Sequence, residues 1–407
     1  MLNKDKQREL AYVVKIDNIV PIEGADKVEC AFVNGWSVMV HKGEFKEGDL
    51  AVYFEIDSKV PEKEPFLFLA PKKFKIKTQK YFKGRILSQG LLMPFSAFGW
   101  TETFHQLGDF VTEELGITYA EEEDNVRKGK AKKDISWQRL SQKNKEKFSH
   151  FPWSALKKNE MGKKLLLKIF YKDLEKTNAF PAWVKKTDEE RIQNMPWILN
   201  NKEPWIVTEK IDGTSTTFTM KRNKKGLRKK EVFDFFVCSR NVNFMGDKEK
   251  TCFYDTNVYL EMAEQYKVKE ALTKILEDNP DLEWVTLQGE TFGKDIQKRE
   301  YSLPALHKKN PNIPIHMFAG FNLIDSKDGR WNSVLAQQYL AEFTTIPWVP
   351  ILDNNYYLPD TVDELLQFAT GKSVIDGGMR EGLVFRSQDG SQSFKAVSNE
   401  FLLKFHN

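Results

Sequence analysis

A single lysine stands in a sequence context suited to covalent attack on a phosphate. Lys210 opens the sequence K-I-D-G, which lies between the apolar or β-branched runs 204–207 and 216–218. These runs predict two strands joined by a turn at Asp212 and Gly213, which would leave Lys210 at a strand end facing a cleft. A lysine amine, with a pKa of about 10.4 in water, needs desolvation or nearby cations before it becomes a nucleophile. The same pattern also fits an ordinary hairpin with a surface lysine.

Four later segments carry residues that would complete this chemistry. Glu290 follows an apolar run and Glu381 opens another, Phe321 lies in an aromatic run, and Lys395 lies near the C-terminal end of the sequence. Each run taken alone fits a core strand. Together they supply a nucleophile, carboxylates for a hard divalent cation, an aromatic face and a second lysine. Nucleotidyl transfer through a lysyl phosphoramidate requires this set.

The elements that position these residues divide the chain into three parts. Short apolar runs alternate with turns over the first hundred residues, which predicts a small β-barrel of the OB type in 1–115. A basic stretch with interleaved aromatics, Lys73–Arg85, favours nucleic-acid binding there, although a basic face without a ligand has the same composition. Lysine and arginine dominate 116–179, which fits either a solvated helical linker or a segment that follows a phosphate backbone. The transferase domain then spans 180–407.

Composition sets the remaining bounds. The 407 residues are 41% hydrophobic and 29% charged, as in a globular protein. No apolar run is long enough to span a bilayer and no secretory segment is recognisable, so we expect an intracellular protein without a membrane partner. The three cysteines lack metal-ligand spacing and are expected to be buried thiols. A monomer without an obligate protein partner is the default expectation.

The order of the motifs resembles that of the covalent nucleotidyltransferase superfamily, which contains ATP-dependent RNA and DNA ligases and mRNA capping enzymes. Lys210–Gly213 resembles the nucleophile motif, and Arg240 in the sequence S-R-N resembles an arginine that contacts phosphate or nucleic acid. Glu290 and Glu381 resemble the third- and fourth-motif carboxylates. Phe321 resembles the aromatic that stacks on the purine.

Within the superfamily the chain is most similar to RNA ligases of the Deinococcus and Naegleria type, which carry an OB domain ahead of the ligase domain. The resemblance implies an α+β protein, in which an OB-like β-barrel precedes an adenylyltransferase, ATP-grasp-like ligase domain of antiparallel sheets with flanking helices. The residues that carry it outside the nucleophile region lie in these segments: Gly35–Phe45, Gly48–Asp49, Tyr53–Ser58, Ser88–Leu91, Lys186–Glu189 and Arg191–Asn194.

The same resemblance implies ATP and Mg²⁺ or Mn²⁺ as cofactors and a lysyl-AMP intermediate. The expected reaction joins 3′-OH and 5′-phosphate ends, through an adenylylated 5′ end, in RNA or an RNA-containing nicked duplex, as RNA repair. Glu209 and Gln193 resemble parts of the adenine pocket, although helix capping or packing also suits Gln193.

The expected metal residues are Asp212, Glu290 and Glu381, and the family also uses its third-motif glutamate on the ribose. Lys395 is expected to hold the α-phosphate. The family's last motif often reads K-x-K, whereas Ser393 occupies the first position here. Either Lys395 acts alone or another lysine such as Lys404 assists.

Three other functions remain open on the sequence. A DNA ligase or a GTP-dependent capping guanylyltransferase shares the motifs, but those families commonly carry the OB domain after the transferase domain. A catalytically inactive RNA-binding protein is the alternative of another class. The presence of Lys210, both carboxylates and Lys395 favours an active enzyme.

Overall fold

The computed structural model of the chain describes most of the two predicted domains. The predicted basic linker falls largely outside the described residues, as do Lys83 and Cys252. Two short helices of that region are described, α1 (Trp153–Lys157) and α2 (Glu160–Ile169). The described residues are 1, 7–82, 84–101, 103–120, 147–148, 150, 153–158, 160–169, 179–186, 188–225, 230–245, 254 and 256–405.

The N-terminal part forms the predicted small β-barrel. Strands β1, β5 and β9 make one antiparallel sheet and β2, β3 and β4 make another, and two shorter pairs extend them. Alternate residues of these strands turn inward, so Trp36 and Tyr53 stack within the barrel with ring centroids 6.2 Å apart. The strands are β1 (Ala11–Lys15), β2 (Asn18–Pro21), β3 (Val28–Val33), β4 (Trp36–His41), β5 (Leu50–Phe54), β6 (Ser58–Lys59), β7 (Gln79–Tyr81), β8 (Ile86–Ser88), β9 (Leu91–Pro94) and β10 (Thr118–Tyr119).

The C-terminal part is built on two four-stranded antiparallel sheets among its described residues. We call the first the lysine sheet; its order is β16-β11-β17-β18. We call the second the aromatic sheet; its order is β13-β12-β14-β15. The strands are β11 (Trp205–Lys210), β12 (Thr214–Lys225), β13 (Lys230–Cys238), β14 (Trp284–Gly293), β15 (His316–Asp325), β16 (Ile351–Tyr356), β17 (Gly382–Ser387) and β18 (Ser393–Val397).

Helices cover the outer faces of these sheets. The helix α4 (Val268–Asp278) buries Val268, Ala271, Leu272, Ile275 and Leu276, at the spacing of one helical face, in the core beneath the aromatic sheet. A capping box at Thr361 and Glu364 begins α7 (Val362–Ala369), which packs in the core of the lysine sheet. The other helices of this part are α3 (Val258–Gln265), α5 (Leu303–Lys309), α6 (Ser333–Ala341) and α8 (Asn399–Phe405).

The turn after Lys210 does not make a hairpin. Strand β11 pairs with β16 and β17, whereas β12 pairs with β13 and β14. Residues 211–213 therefore carry the chain from one sheet to the other, which excludes the hairpin alternative. A turn between sheets places Lys210 where the two sheets face each other.

The barrel packs directly on the C-terminal part. The Arg191 guanidinium lies 5.5 Å from the centre of the Trp36 ring, and Lys80 Nζ donates to the Leu403 carbonyl at 2.9 Å. Val397 and Leu402 also form an apolar cluster with Leu87 of the barrel. Lys80, expected on a nucleic-acid surface, therefore contacts the C-terminal part. No helix in the described ranges is long and apolar enough to cross a membrane.

Candidate active site

Lys210 is the last residue of β11. Its amine is hydrogen-bonded to the carboxylate of Glu381, the residue immediately before the neighbouring strand β17. The register pairs Lys210 with Gly382, so Glu381 stands beside the lysine. Lys210 Nζ donates to Glu381 Oε2 at 2.8 Å. The lysine side chain is 25% exposed and that of Glu381 is 8% exposed, so the amine reaches the cleft while its partner is shielded. The sequence prediction of a lysine at a strand end is realised by this geometry.

Two further carboxylates act on the same lysine. Asp212 lies in the turn after β11, and Glu290 lies in β14 opposite Ser215 of β12. Burial, followed by repulsion from Glu381, raises the pKa of Asp212 to about 7, although Lys210 and Arg299 oppose the shift. Burial raises the pKa of Glu290 to about 8; Lys210 opposes that shift, and Glu381 and Asp212 add to it. Burial and repulsion between the carboxylates therefore both disfavour the ionised forms of Asp212 and Glu290.

These carboxylates set the charge state of Lys210. Burial alone would lower the pKa of Lys210, but Glu381, Glu290 and Asp212 together raise it above the ordinary value. Without ligands the amine is thus an ammonium ion rather than a nucleophile. A reaction at Nζ requires that the surrounding negative charge be neutralised first.

Lys395 projects from the same wall of the cleft. In the lysine sheet Thr208 pairs with Val384, and Val384 pairs with Lys395, so the three side chains form one row. Thr208 and Lys210 alternate by two along β11 and share that face. Burial, followed by repulsion from Lys210, lowers the pKa of Lys395 to about 8, while Asp188 opposes the shift. Two lysines on strands separated by β17 therefore face one anion-binding space.

The cleft between the sheets has a volume of about 310 Å³ and brings most of the predicted site residues together. Asp212 and Glu381 flank Lys210 at its edge, as described above. The lining residues are Asp188, Glu189, Thr208, Glu209, Lys210, Ile211, Gly213, Thr214, Ser215, Arg240, Glu290, Phe321, Val349, Val384, Arg386 and Lys395.

Arg240 stands at the exposed mouth of the cleft. Its Nη2 donates to Asp188 Oδ2 at 2.6 Å, and the other oxygen of Asp188 lies 3.9 Å from Lys395 Nζ. Asp188 thus bridges two cations that the sequence assigned to phosphate or nucleic acid. An incoming anion would compete with this exposed carboxylate for both of them.

Glu209 lies in the cleft strand, but its side chain points to the other face of the lysine sheet. Alternation along β11 places Glu209 on the same face as Trp205 and Val207, which pack in the lysine-sheet core, and opposite Thr208 and Lys210. The residue is 1% exposed, and its Oε2 accepts a hydrogen bond from the Val374 N–H at 2.9 Å. Glu209 therefore borders the cleft through its backbone.

Phe321 is backed by a buried arginine that sequence reasoning missed. The Arg386 guanidinium lies 5.6 Å from the centre of the Phe321 ring. Arg386 also donates to Asn322 Oδ1 at 3.2 Å and to Thr208 Oγ1 at 3.1 Å, which ties the two sheets together. Burial lowers the pKa of Arg386 to about 10 even though Glu189 stabilises its charge. The alternation along β17 was the available signal, since residues 382, 384 and 386 share one face.

Ser393 is hydrogen-bonded to two charged side chains. Arg330 Nη1 donates to Ser393 Oγ at 2.8 Å, and Ser393 Oγ in turn donates to Glu189. Arg330 follows β15 of the aromatic sheet, whereas Ser393 begins β18 of the lysine sheet. The position at which the family motif often has a lysine is therefore occupied by a serine whose hydrogen bond to Arg330 links the two sheets.

Gln193 lies outside the cleft, at the contact between the domains. It is fully buried, and its Nε2 donates to the Gly35 carbonyl of the barrel at 3.4 Å. A β-carbon at Gly35 would lie 3.3 Å from Gln193 Cγ, so the barrel turn closes tightly on this side chain. Its short 3₁₀ helix, residues 192–194, packs in the lysine-sheet core, which favours the packing role over contact with adenine. Lys404, the other lysine considered for phosphate, lies in α8 and is exposed.

Comparison with known proteins shows the family and the fold of the chain. A family model for RNA ligase matches residues 203–404, and a model for an OB-fold domain matches residues 10–95. A mutant of Naegleria gruberi RNA ligase with AMP and manganese is 30% identical, with a TM-score of 0.60 over 98% of this chain and 99% of that chain. The chain belongs to the RNA ligase family. The predicted fold, with an OB barrel ahead of the ligase domain, and the predicted enzyme class are confirmed.

Other structures of that ligase match this RNA ligase equally well. One mutant, with ATP and manganese, is 29% identical, with a TM-score of 0.60 over 98% of this chain and 100% of that chain. A structure with pyrophosphate is 29% identical, with a TM-score of 0.59 over 98% of this chain and 99% of that chain. Comparison with curated protein sequences finds no match.

Proposed function

We propose that this RNA ligase uses ATP to join 3′-OH and 5′-phosphate ends of RNA through a lysyl-AMP intermediate. The observation that carries the proposal is Lys210 at the end of β11, bonded to Glu381 and facing a cleft that also contains Lys395. The Naegleria structures with ATP, with AMP and with pyrophosphate support the same nucleotide chemistry.

A divalent cation, Mg²⁺ or Mn²⁺, fits the charge of this site. Asp212, Glu290 and Glu381 are the residues that would hold it. The raised pKa values of Asp212 and Glu290 reflect burial first and then repulsion between the carboxylates, and a cation would relieve the repulsion. Within the described ranges no three His, Cys, Asp or Glu side chains converge closely enough to hold a metal directly. Contacts through water are therefore part of the proposal.

Neutralisation of these carboxylates by the bound cation would release the proton of Lys210 and offset charge on the phosphate oxygens. Glu381 Oε2 holds Nζ at the strand end, which orients the amine. Nζ then forms a bond to the α-phosphorus of ATP as the bond to pyrophosphate breaks. Lys395 stabilises the negative charge of the α-phosphate from β18, on the far side of β17. Because Ser393 is tied to Arg330, we assign this role to Lys395 alone on β18.

The pH dependence of ATP binding tests Lys395. Its pKa of about 8 lets it lose a proton above that pH, while bound phosphate favours the protonated form. The wild-type affinity should therefore fall above about pH 8, by up to about tenfold for each pH unit. Arginine stays protonated at these values. Without metal, the ratio of the wild-type Kd to that of Lys395→Arg should rise between about pH 7 and pH 9; a constant ratio would contradict the assignment.

Adenine binding is assigned to the aromatic wall of the cleft. The Phe321 ring offers a stacking surface that Arg386 holds in place from one side. Stacking alone does not distinguish adenine from guanine, so the choice of ATP over GTP is proposed from the Naegleria structures with ATP and with AMP.

The barrel supplies a surface for the RNA. A groove of about 480 Å³ runs along it, lined in part by Lys72, Lys75 and Lys77 beside Phe68. Phe68 is 56% exposed and available for stacking. Positive charge combined with an exposed aromatic is typical of OB surfaces that bind nucleic acid. We propose that this groove follows a strand of an RNA-containing nicked duplex while Arg240 meets its end.

One sealing assay and one nucleotide-labelling assay separate the proposal from its alternatives. We expect ATP-dependent sealing of a nicked duplex with a ribonucleotide at the 3′-OH side, as in RNA repair. Equal or better sealing with deoxyribose at that position would indicate a DNA ligase. Covalent label from GTP instead of ATP would indicate a capping guanylyltransferase, and no label from either would indicate an inactive RNA-binding protein. An enzyme that meets ATP and RNA acts inside the cell, and we propose that it does so as a monomer.

A further inference from the structure

A short segment after β14 is hydrogen-bonded to the turn that follows Lys210. Gln297 Nε2 donates to the Gly213 carbonyl at 3.0 Å. The Asp212 N–H donates to Tyr301 Oη at 2.6 Å. Two side chains four residues apart thus hold two consecutive residues of the K-I-D-G sequence. Neither was among the residues that the sequence motifs indicated.

The same segment also contacts the elements that carry the other two carboxylates. The Tyr301 ring packs edge-on against Phe292, two residues after Glu290 in β14, with centroids 5.0 Å apart. The Arg299 guanidinium lies 4.2 Å from the centre of the Tyr301 ring and pairs with Asp376, in the loop that leads to Glu381. One segment therefore links the three elements on which the site carboxylates stand.

Arg299 and Tyr301 are buried, and the backbone at Tyr301 is conformationally strained. Tyr301 is 1% exposed, and both side chains of the Arg299–Asp376 pair are 7% exposed. Tyr301 and Ser302 have φ angles of 52° and 57°, in the left-handed region that costs a non-glycine residue free energy. Strain of this kind persists where surrounding contacts fix the chain, and it is concentrated at functional sites.

We propose that Gln297, Arg299 and Tyr301 form a positioning segment that sets the separation of Asp212, Glu290 and Glu381 around Lys210. Tyr301 is its principal residue because its hydroxyl bonds directly to the backbone of Asp212. None of the three side chains is assigned to contact ATP. The segment acts on the rate of lysyl-AMP formation through the carboxylates, so the inference rests on the proposed function.

The test is a single-turnover measurement of lysyl-AMP formation over a range of ATP and Mg²⁺ concentrations. Tyr301→Phe removes only the hydroxyl and leaves the Asp212 N–H without its partner. We expect the maximal rate to fall at least about tenfold, with the half-saturating ATP concentration within about twofold of wild type and a higher Mg²⁺ requirement. Tyr266→Phe is the matched control, since that hydroxyl bonds to the backbone of Phe318 instead.

Gln297→Ala keeps the inference testable if Tyr301→Phe fails to fold. Gln297 is exposed, so its truncation should leave thermal unfolding unchanged while lowering the maximal rate about threefold or more. Wild-type maximal rates in folded Gln297→Ala and Tyr301→Phe, or a change confined to the half-saturating ATP concentration, would overturn the inference alone. Absence of lysyl-AMP in the wild type would instead overturn the proposed function, and the inference with it.

Discussion

Lys210→Ala is expected to lower transfer of AMP from ATP to the protein to below about one thousandth of the wild-type rate, because Lys210 is the proposed nucleophile and alanine has no group that can form the covalent bond. Sealing of RNA by ATP should be lost in parallel. The variant should still seal RNA that already carries AMP on its 5′ end, since that step begins after the lysine has acted. Radiolabelled ATP measures the first reaction, and a synthetic adenylylated strand measures the second.

Lys202→Ala provides the control for Lys210→Ala. Lys202 lies eight positions earlier in the chain, and its side chain is 69% exposed in a pair with Asp360. Its loss should change neither reaction. Label on Lys210→Ala at wild-type levels would mean that another residue is the nucleophile. Loss of sealing with the adenylylated strand as well would indicate a structural defect rather than a missing nucleophile.

Glu381→Gln has two opposed effects, and their balance distinguishes two roles for Glu381. The substitution removes the nearest of the carboxylate charges that raise the pKa of Lys210, which by itself would favour the nucleophilic amine. It also weakens the hold on the cation and on Nζ. We expect the second effect to dominate, with lysyl-AMP formation reduced about a hundredfold at saturating ATP and restored in part by high Mg²⁺.

Glu400→Gln in the first turn of α8 is the corresponding control, because that exposed carboxylate lies away from the cleft. Faster lysyl-AMP formation by Glu381→Gln would show that Glu381 is merely the counter-ion of Lys210. In that case the cation site would have to be assigned to Asp212 and Glu290 without it.

The sequence was most informative where chemistry depends on a few residues in fixed order. Lys210, Glu290, Phe321 and Lys395 each occur within a short apolar strand, and alternation along the strand turns the side chain toward the cleft. The β-barrel could also be predicted from local patterns, because short strands and turns have recognisable sequence signals. Family resemblance then supplied the order in which these segments combine.

Contacts between distant segments could not be derived in the same way. The turn at Asp212 resembles a hairpin locally, and only strand pairing far along the chain shows that it crosses between sheets. Gln193 was compatible with both a pocket and a packing role until the barrel turn at Gly35 was seen against it. The bond from the Asp212 N–H to Tyr301 joins residues separated by 89 positions, and no periodic pattern indicates it.

Ser393 shows that the charged groups around a motif position are likewise difficult to predict from sequence. The missing lysine of the K-x-K motif suggested a deficit that Lys404 could fill, but Lys404 is exposed in α8. The structure places Arg330 and Glu189 at Ser393 instead, and both come from segments far away in the chain. A substitution at one motif position is thus accompanied by a network that the motif does not describe.

Mapping the covalent adduct tests the central claim most directly. The wild-type protein is incubated with ATP and Mg²⁺, digested, and analysed by mass spectrometry under conditions that preserve a phosphoramidate bond. The account predicts that the peptide containing Lys210 gains the mass of one adenylyl group and that pyrophosphate reverses the gain. An adduct on Lys395 or on any other residue, or no adduct at all, would contradict it.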